Sequence, residues 1–487
     1  MRSSGRLLLL VFVGGAMVVW RRVRSGPVQD SPIAHVSRLQ RATAMAWLAA
    51  CRATDRTWTK TRQRLASDET RRRLQADLER RDAEDVAAAL GNMKGAMTKL
   101  GQMASYLDDG MPKPMREALA GLRSDAPPMP GDLALSEIER SLGAPLHELF
   151  REIDSEPMAS ASIGQVHRAV TADGRKVAVK VQYPGIAGAI AADLDNSEAL
   201  AMMLSMVFPG LDPNELVAEL RARISEELDY LNEASNVRVF ADYYRGHPHI
   251  WIPDVIEELS TGDVLTTELV EGSRFEEIYE RSQQERDRVG EILYRFVFRS
   301  LNRQHVFNAD PHPGNYLLAD DGRVVFIDFG LVKHFQEDEV EQFTRLIRAM
   351  LDRDAIKFRR TAEEAKVLRP GAPFSDEEIF DWFAAYYELI LENEPLTVTP
   401  EYSARLLFKM FDARTNAILK HANVPPPFAL IQRLNLGLIS LMGKLEATAN
   451  WRAISEELWV WTDAGPSTPI GEDEAAWVAS GVSGAGR

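Results

Sequence analysis

Three short stretches hold side chains whose types and spacing suit one chemistry. Lys180 closes Val177-Ala-Val-Lys180, an alternating apolar run of the kind that sets a lysine on a strand. Far downstream, Asn308-Ala-Asp-Pro-His-Pro-Gly-Asn315 puts Asp310 and Asn315 five residues apart, and Phe326-Ile-Asp-Phe-Gly330 places Asp328 just after another strand-like run. Moving a γ-phosphoryl group requires positive charge at the phosphates and one or two Mg²⁺ ions held by hard oxygen ligands. Lys180 would supply the first, and Asn315 and Asp328 the second. Asp310 would stand where a base orients or deprotonates the attacking hydroxyl or water. Each residue type is commonplace, but their order, spacing and strand or loop settings together point to an Mg-nucleotide site.

A fourth stretch departs from the expected form. Pro157-Met-Ala-Ser-Ala-Ser-Ile-Gly-Gln-Val-His167 has the rhythm of a glycine-rich phosphate loop, with alanines at the first two glycine positions. The candidate nucleotide contacts here are Ala159, Ser160, Ala161, Ser162, Gly164 and Val166. Glycine serves such loops because it tolerates positive φ and lets backbone N–H groups approach phosphates closely, whereas alanine there costs about 1–2 kcal/mol. The alanine loop is therefore expected to follow another backbone path and to handle nucleotide differently.

The elements that must position these groups can be sketched from periodicity. Strands are expected over Gln165–Val170, Lys176–Tyr183, Trp251–Glu257, Val264–Val270, Tyr316–Leu318 and Val324–Asp328, the last pair joined at Asp320-Asp-Gly322. Helical spacing covers Asp82–Asp108, Leu133–Leu149, Gly188–Met206, Asn214–Phe240, Phe275–Arg303 and most of 335–460. A strand-rich half followed by a helix-rich half describes a bilobal α+β protein. His312 is read as a hydrogen-bonding loop residue, His167 as structural, and Met202, Met203, Met206, Met350, Met410 and Met442 as core filler.

These residues also carry a resemblance. NADPHPGN, FIDFG, PMASASIGQVH, VAVKVQYPG and above all Lys99-Leu-Gly-Gln102 resemble the UbiB/AarF/ADCK group of atypical protein-kinase-like proteins, from about Val86 to Ala449. The resemblance implies a kinase-like fold with an N-terminal helical K-x-G-Q extension, binding of ATP or ADP with Mg²⁺, and ATPase or unorthodox kinase activity. It also implies a role in ubiquinone or related isoprenoid-quinone lipid metabolism at membranes. A nucleotide-gated lipid-binding module without phosphoryl transfer is the alternative. Carried over, Lys99 and Gln102 would face the site, Glu233 would partner Lys180, and Glu227 and Asp229 would form an E-x-D motif. Spacing alone leaves Glu226, Glu227, Asp229 and Glu233 open as partners. Asn308 stands where the family pattern has histidine. The missing A-P-E-like segment after Gly330 and the K-x-G-Q helix argue against peptide substrates.

Bulk properties bound the partners. The chain has 487 residues, 45% hydrophobic, and a net charge of −15. Sixteen basic against six acidic residues in the first eighty give a local +10, leaving −25 on the rest. An acidic body argues against nucleic acid, whereas a basic leader beside an apolar run suits an anionic membrane surface. Leu7–Trp20 is an apolar run of fourteen residues followed by Arg21, Arg22 and Arg24. As a helix it would span roughly 21 Å against about 30 Å of hydrocarbon. A retained anchor, a cleaved leader and a segment packed on the protein all remain open; a spanning anchor would hold the main domain on the cytoplasmic side, or in a mitochondrion for a eukaryotic source. Expected partners are nucleotide, a membrane lipid or isoprenoid-quinone intermediate, and quinone-biosynthesis enzymes. The single Cys51 excludes an internal disulfide framework and a cysteine-built zinc site. The expected organisation is an anchor or leader (1–30), a basic helical linker (31–81), the K-x-G-Q extension (82–130), an upper lobe (131–271), a lower lobe (272–464) and a flexible tail (465–487).

Overall fold

The alternation in Lys176–Gln182 decides the geometry of the upper lobe. Val177, Val179 and Val181 are excluded from solvent on one face, so the two-residue period of a strand sends Lys180 to the other. The computed structural model describes residues 129–161, 163–188, 221, 225–226, 228–308, 310–411, 417–418, 421–422 and 426–481. The expected anchor, linker and nearly all of the K-x-G-Q extension, including Lys99 and Gln102, lie outside them, as do Ser162 and Glu227.

Helix α1 (Gly131–Leu142) is followed by strands β1 (Phe150–Ile153), β2 (Ala159–Ser160), β3 (Gly164–Thr171) and β4 (Lys176–Gln182). Helix α2 (Tyr230–Tyr243), β5 (Ile250–Trp251) and β6 (Val264–Glu268) come next. The upper sheet runs β1-β3-β4-β6, all antiparallel, with β2 folded back on β3. Ala134 and Ile138 of α1 pack with Val177, Val179, Val181 and Val264 into its core.

The lower lobe contains β7 (Ser273–Arg274), α3 (Gln283–Gln304), β8 (Val306–Asn308), β9 (Tyr316–Leu318), β10 (Val324–Phe326) and β11 (Val332–His334). Helices α4 (Glu337–Leu351), α5 (Ala355–Glu364), α6 (Asp376–Ala384), α7 (Pro400–Phe411), α8 (Pro426–Leu445), α9 (Trp451–Leu458) and α10 (Pro469–Ala479) follow. Buried Val289, Ile292, Leu293, Phe296 and Leu301 make α3 the axis of this lobe. Its last residue leads through His305, in the left-handed conformation, directly into β8 and the Asp310 loop.

Three expectations need correction. The strand read over Trp251–Glu257 stops at Trp251, because Pro253 lacks an N–H for a ladder and Glu257–Leu259 winds into a 3₁₀ turn. The remaining Ile250–Trp251 pairs in parallel with β10 in the lower sheet, not with the upper one. The helix read across Asn214–Phe240 is interrupted at Asp229, whose side chain caps a new helix.

The tail is the third correction, since residues 469–479 form α10 rather than a flexible segment. Thr468 accepts from the Gly471 N–H and Pro469 opens the first turn, a helix-start signal hidden in a Gly-, Ser- and acid-rich stretch. Trp477 is buried against Tyr243, Tyr244 and His247. Glu474 is buried between Arg295 at 2.9 Å, Arg299 at 3.6 Å and His247 at 3.1 Å. Arg295, itself buried, also meets Glu291 and Glu457. His247 Nδ1 accepts from the His249 and Ile250 backbone N–H groups, so the neutral ring carries its proton on Nε2 and donates to Glu474.

Burial alone would raise the Glu474 carboxyl, but His247, Arg299 and Arg295 outweigh it and draw it down to about 2. Burial holds His247 below its ordinary 6.5 despite Glu474. Both groups are depressed, so the unfolded chain binds more protons in acid. Docking of α10 is therefore complete above 6.5 and is lost as pH falls through 4.5 toward 2. Trp477 emission and hydrogen exchange over 469–479 should report release that begins as pH falls below 6.5 and is completed between 4.5 and about 2. Glu474→Gln should lower stability at pH 7 by about 3–5 kcal/mol by leaving the buried Arg299 without its carboxylate, while Arg295 keeps Glu291 and Glu457; an acid-insensitive α10 would contradict this account.

Candidate nucleotide site

Lys180 leaves β4 on the face away from α1 and meets α2. Its Nζ donates to both carboxylate oxygens of Glu233, at 2.8 and 2.9 Å, and lies 3.7 Å from Asp328 Oδ2. Beneath it lies the buried ring of Tyr230, centred 5.0 Å from Nζ. Burial alone disfavours the ammonium, yet Glu233 and Asp328 outweigh it and hold Lys180 well above the ordinary lysine value. Lys180 is thus a fixed positive charge rather than a proton acceptor.

Of the acids that spacing left open, the structure brings Glu233 to Lys180. Asp229 does something else: its Oδ1 accepts from the Leu231 and Asn232 N–H groups, both at 3.1 Å, as the N-cap of α2. That cap sets the start of the helix, and Tyr230, Glu233, Asn236 and Phe240 then fall on one buried face at intervals of three and four. Asn236 donates to the Phe329 carbonyl at 3.1 Å, and Phe240 packs on the Phe329 ring at 4.8 Å. Phe240 also meets Phe296 of α3, which stacks on Phe326 just before Asp328. The helix that presents Glu233 is therefore packed against the segment that presents Asp328.

The Asp310 loop is tied to that segment by amides. Asn308 Nδ2 donates to the Asp328 carbonyl at 2.8 Å, while its Oδ1 accepts from the Asp310 N–H at 3.3 Å. Asn315 Nδ2 donates to the Asp310 carbonyl at 2.9 Å, leaving its side-chain oxygen as the remaining acceptor. The Asn315 carbonyl accepts from the Ile327 N–H at 3.1 Å, and Asp328 Oδ1 accepts from the Gly330 N–H at 3.0 Å. His312 shapes the loop by accepting from the Gly314 N–H at 3.1 Å.

The donor set fits Mg²⁺ with nucleotide. Mg²⁺ keeps several waters and takes one or two protein oxygens plus phosphate, rather than a complete protein cage. Among the described residues no cluster of three or more His, Cys, Asp or Glu side chains converges as a metal site. Asp328 offers a carboxylate 3.7 Å from the Lys180 ammonium, and Asn315, whose carbonyl accepts from the Ile327 N–H next to Asp328, offers an amide oxygen.

The alanine loop is a tight hairpin in which Ala159 faces Val166 and Ser160 faces Gln165. The Met158 and Ala161 N–H groups are taken by the Val166 and Gly164 carbonyls, both at 2.8 Å, so they are spent on the ladder. Neither alanine has positive φ. Gly164 is required for close approach, since a Cβ there would lie 2.2 Å from the Val181 carbonyl oxygen. Val166 stands directly across the ladder from Lys180. His167 is buried; its Nδ1 donates to the Asp154 carbonyl and its Nε2 accepts from Gln165.

Tyr230, Asn236 and the double contact of Asn308 went unrecognised in the sequence. The first two carried a weak signal, three-residue spacing about Glu233. Asn308 stood out as a departure from a family pattern, with nothing local to show what its amide would reach.

Glu233 has 2% of its side chain exposed and Lys180 has 16%. Lys180→Met strands a buried carboxylate and should lower stability by about 3–5 kcal/mol in denaturant titration. Glu233→Gln should cost less, because Lys180 keeps Asp328 and some solvent. Equal costs, or a larger cost for Glu233→Gln, would show that this pair is not arranged as described.

Comparisons with known proteins bear on the family and the fold. The ABC1 atypical kinase-like domain matches residues 121–362. The chain is 29% identical over 390 residues to the atypical kinase coq-8, mitochondrial, of Caenorhabditis elegans, covering 77% of this chain and 51% of that one. It is 34% identical over 275 residues to the probable protein kinase UbiB of Marinobacter nauticus, covering 55% and 50%. The alignments thus span about half the length of these two relatives. A solved Mycobacterium tuberculosis protein, the Rv3197–erythromycin complex, superposes with a TM-score of 0.59 at 32% identity, covering 82% of this chain and 99% of that one.

Proposed function

The chain belongs to the ABC1 atypical kinase-like family, and on that premise we propose that it binds Mg-ATP and either hydrolyses it or phosphorylates a small molecule or lipid. The setting we propose is ubiquinone or related isoprenoid-quinone metabolism at a membrane, a reading supported by the Lys99-Leu-Gly-Gln102 and Asp310–Asn315 motifs together. The observation that carries the chemistry is Lys180 held between Glu233 and Asp328, next to a loop in which amides fix Asp310 and Asn315.

In this reading Lys180 faces the α/β-phosphates and Glu233 keeps its ammonium extended. Asp328 and Asn315 hold Mg²⁺, which when bound neutralises charge developing on the transferred phosphoryl group. Asp310 orients or deprotonates the attacking oxygen. The hairpin course of Ala159 and Ala161 commits N–H groups to the sheet that a glycine loop would offer to phosphates. Lys99, Gln102, Ser162 and Glu227 complete the proposed site from outside the described residues. Membrane attachment is assigned to the N-terminal segment; among the described residues no helix is long and apolar enough to cross a membrane.

A second reading, a nucleotide-gated binding module without phosphoryl transfer, draws on the mycobacterial relative solved with erythromycin. Phosphate release by the full-length chain, with and without Mg²⁺ and anionic vesicles, separates the two. Asp328→Asn should lower Mg-dependent release by about 100-fold or more, and unchanged release would reject the hydrolase. Ala159→Gly or Ala161→Gly should alter ATP/ADP selectivity or raise self-phosphorylation. Wild-type values for both would refute the assigned role of the loop. A normal quinone profile in a deletion strain would remove the pathway assignment and leave the chemistry standing.

A further inference from the structure

A second candidate site lies inside the lower lobe. Helices α3, α4, α5, α6, α8 and α9 line a partly open cavity of about 160 Å³, with Phe298, Phe358, Tyr386, Met442 and Trp459 among its walls. None of the described lining residues is Asp, Glu, Lys or Arg. Such walls offer nothing to offset the desolvation of a charged group, so phosphates and nucleotides are excluded. An apolar cavity of about 150 Å³ engineered into another protein holds benzene, which sets the scale at one six-membered ring.

Two polar atoms in the lining lack partners. The Tyr386 hydroxyl and Asn435 Oδ1 are both buried and have no hydrogen-bond partner among the described residues. Two neighbouring polar groups of the lining are satisfied: the Tyr294 hydroxyl pairs with Ser455 at 2.7 Å, and the Asn302 amide donates to the Phe298 carbonyl at 2.7 Å. Tyr386 remains a donor, because burial pushes its phenol above the ordinary range. It needs an acceptor, whereas Asn435 Oδ1 needs a donor. A hydroxyl group is the smallest neutral group on a carbon skeleton that is both.

We propose that this cavity is a binding site for an apolar one-ring alcohol, whose hydroxyl accepts from Tyr386 and donates to Asn435 while its ring fills the apolar remainder. The site is separate from Lys180 and Asp328 in residues and chemistry, and it stands whether or not the chain transfers phosphate. Two of its walls continue to the Asp310 loop. Helix α3 runs into β8, and Gly437 of α8 abuts Pro311 so closely that a Cβ would lie 2.3 Å from its ring.

Calorimetric titration of the full-length chain with cyclohexanol, and with methylcyclohexane as the isostere lacking the hydroxyl, tests the proposal. Cyclohexanol should bind at one saturable site, about three- to tenfold more tightly than methylcyclohexane. Tyr386→Phe and Asn435→Leu should each weaken cyclohexanol about threefold or more and bring the two probes together. Without ligand both variants should melt at or above the wild-type temperature, since each removes an unsatisfied buried polar atom. Absence of saturable binding, as for a cavity that holds only water, would overturn the proposal. So would equal affinity for the two probes in the wild type, or variants that bind cyclohexanol unchanged.

Discussion

Most of the described architecture around the candidate site serves one constraint, an ammonium and a carboxylate held together almost out of water. Lys180 and Glu233 come from a strand and a helix separated by 53 residues of chain. Desolvating both is expensive, and the cost is offset only when the geometry is close and the remaining donors are used. The two 2.8–2.9 Å contacts, the Tyr230 ring below and Asp328 beside them meet that requirement. Because neither partner tolerates being left alone, sheet and helix are obliged to meet at one relative setting.

Packing transmits that setting to the lower lobe. The face of α2 that carries Glu233 also carries Asn236 and Phe240, which grip the carbonyl and the ring of Phe329. Phe296 of α3 extends the contact to Phe326, and α3 then runs into the Asp310 loop. Asn308 closes the circuit by holding the Asp328 carbonyl and the Asp310 N–H at once. At the other end of α2, Tyr243 and Tyr244 rest on Trp477 of α10, which the buried Arg295–Glu474 network fixes in place.

Where a signal is local and periodic, sequence and structure agree. The alternation of Val177, Val179 and Val181 places Lys180 opposite the core, and the five-residue interval from Asp310 to Asn315 closes a compact loop. Non-local pairing is where reading along the chain stops. Nothing around Glu233 distinguishes it from Glu226 until the helix start at Asp229 is known, because the cap decides which acids face inward. Asn308 reads as a substitution until its amide is seen bridging segments 20 residues apart. The α10 stretch reads as a flexible tail from its composition, because its anchors, His247, Arg295 and Arg299, lie more than 170 residues earlier in the chain.

If Lys180, Asp328 and Asn315 form a site made ready for Mg-nucleotide, metal and nucleotide must bind as a unit that depends on Asp328. Calorimetric titration of ATP into the full-length chain, with Mg²⁺ or with EDTA, measures this directly and needs no turnover. The account predicts that Mg²⁺ tightens ATP binding by about tenfold or more in the wild type, and that Asp328→Asn abolishes the tightening while keeping the fold. Equal Mg²⁺ enhancement in wild type and variant would contradict it.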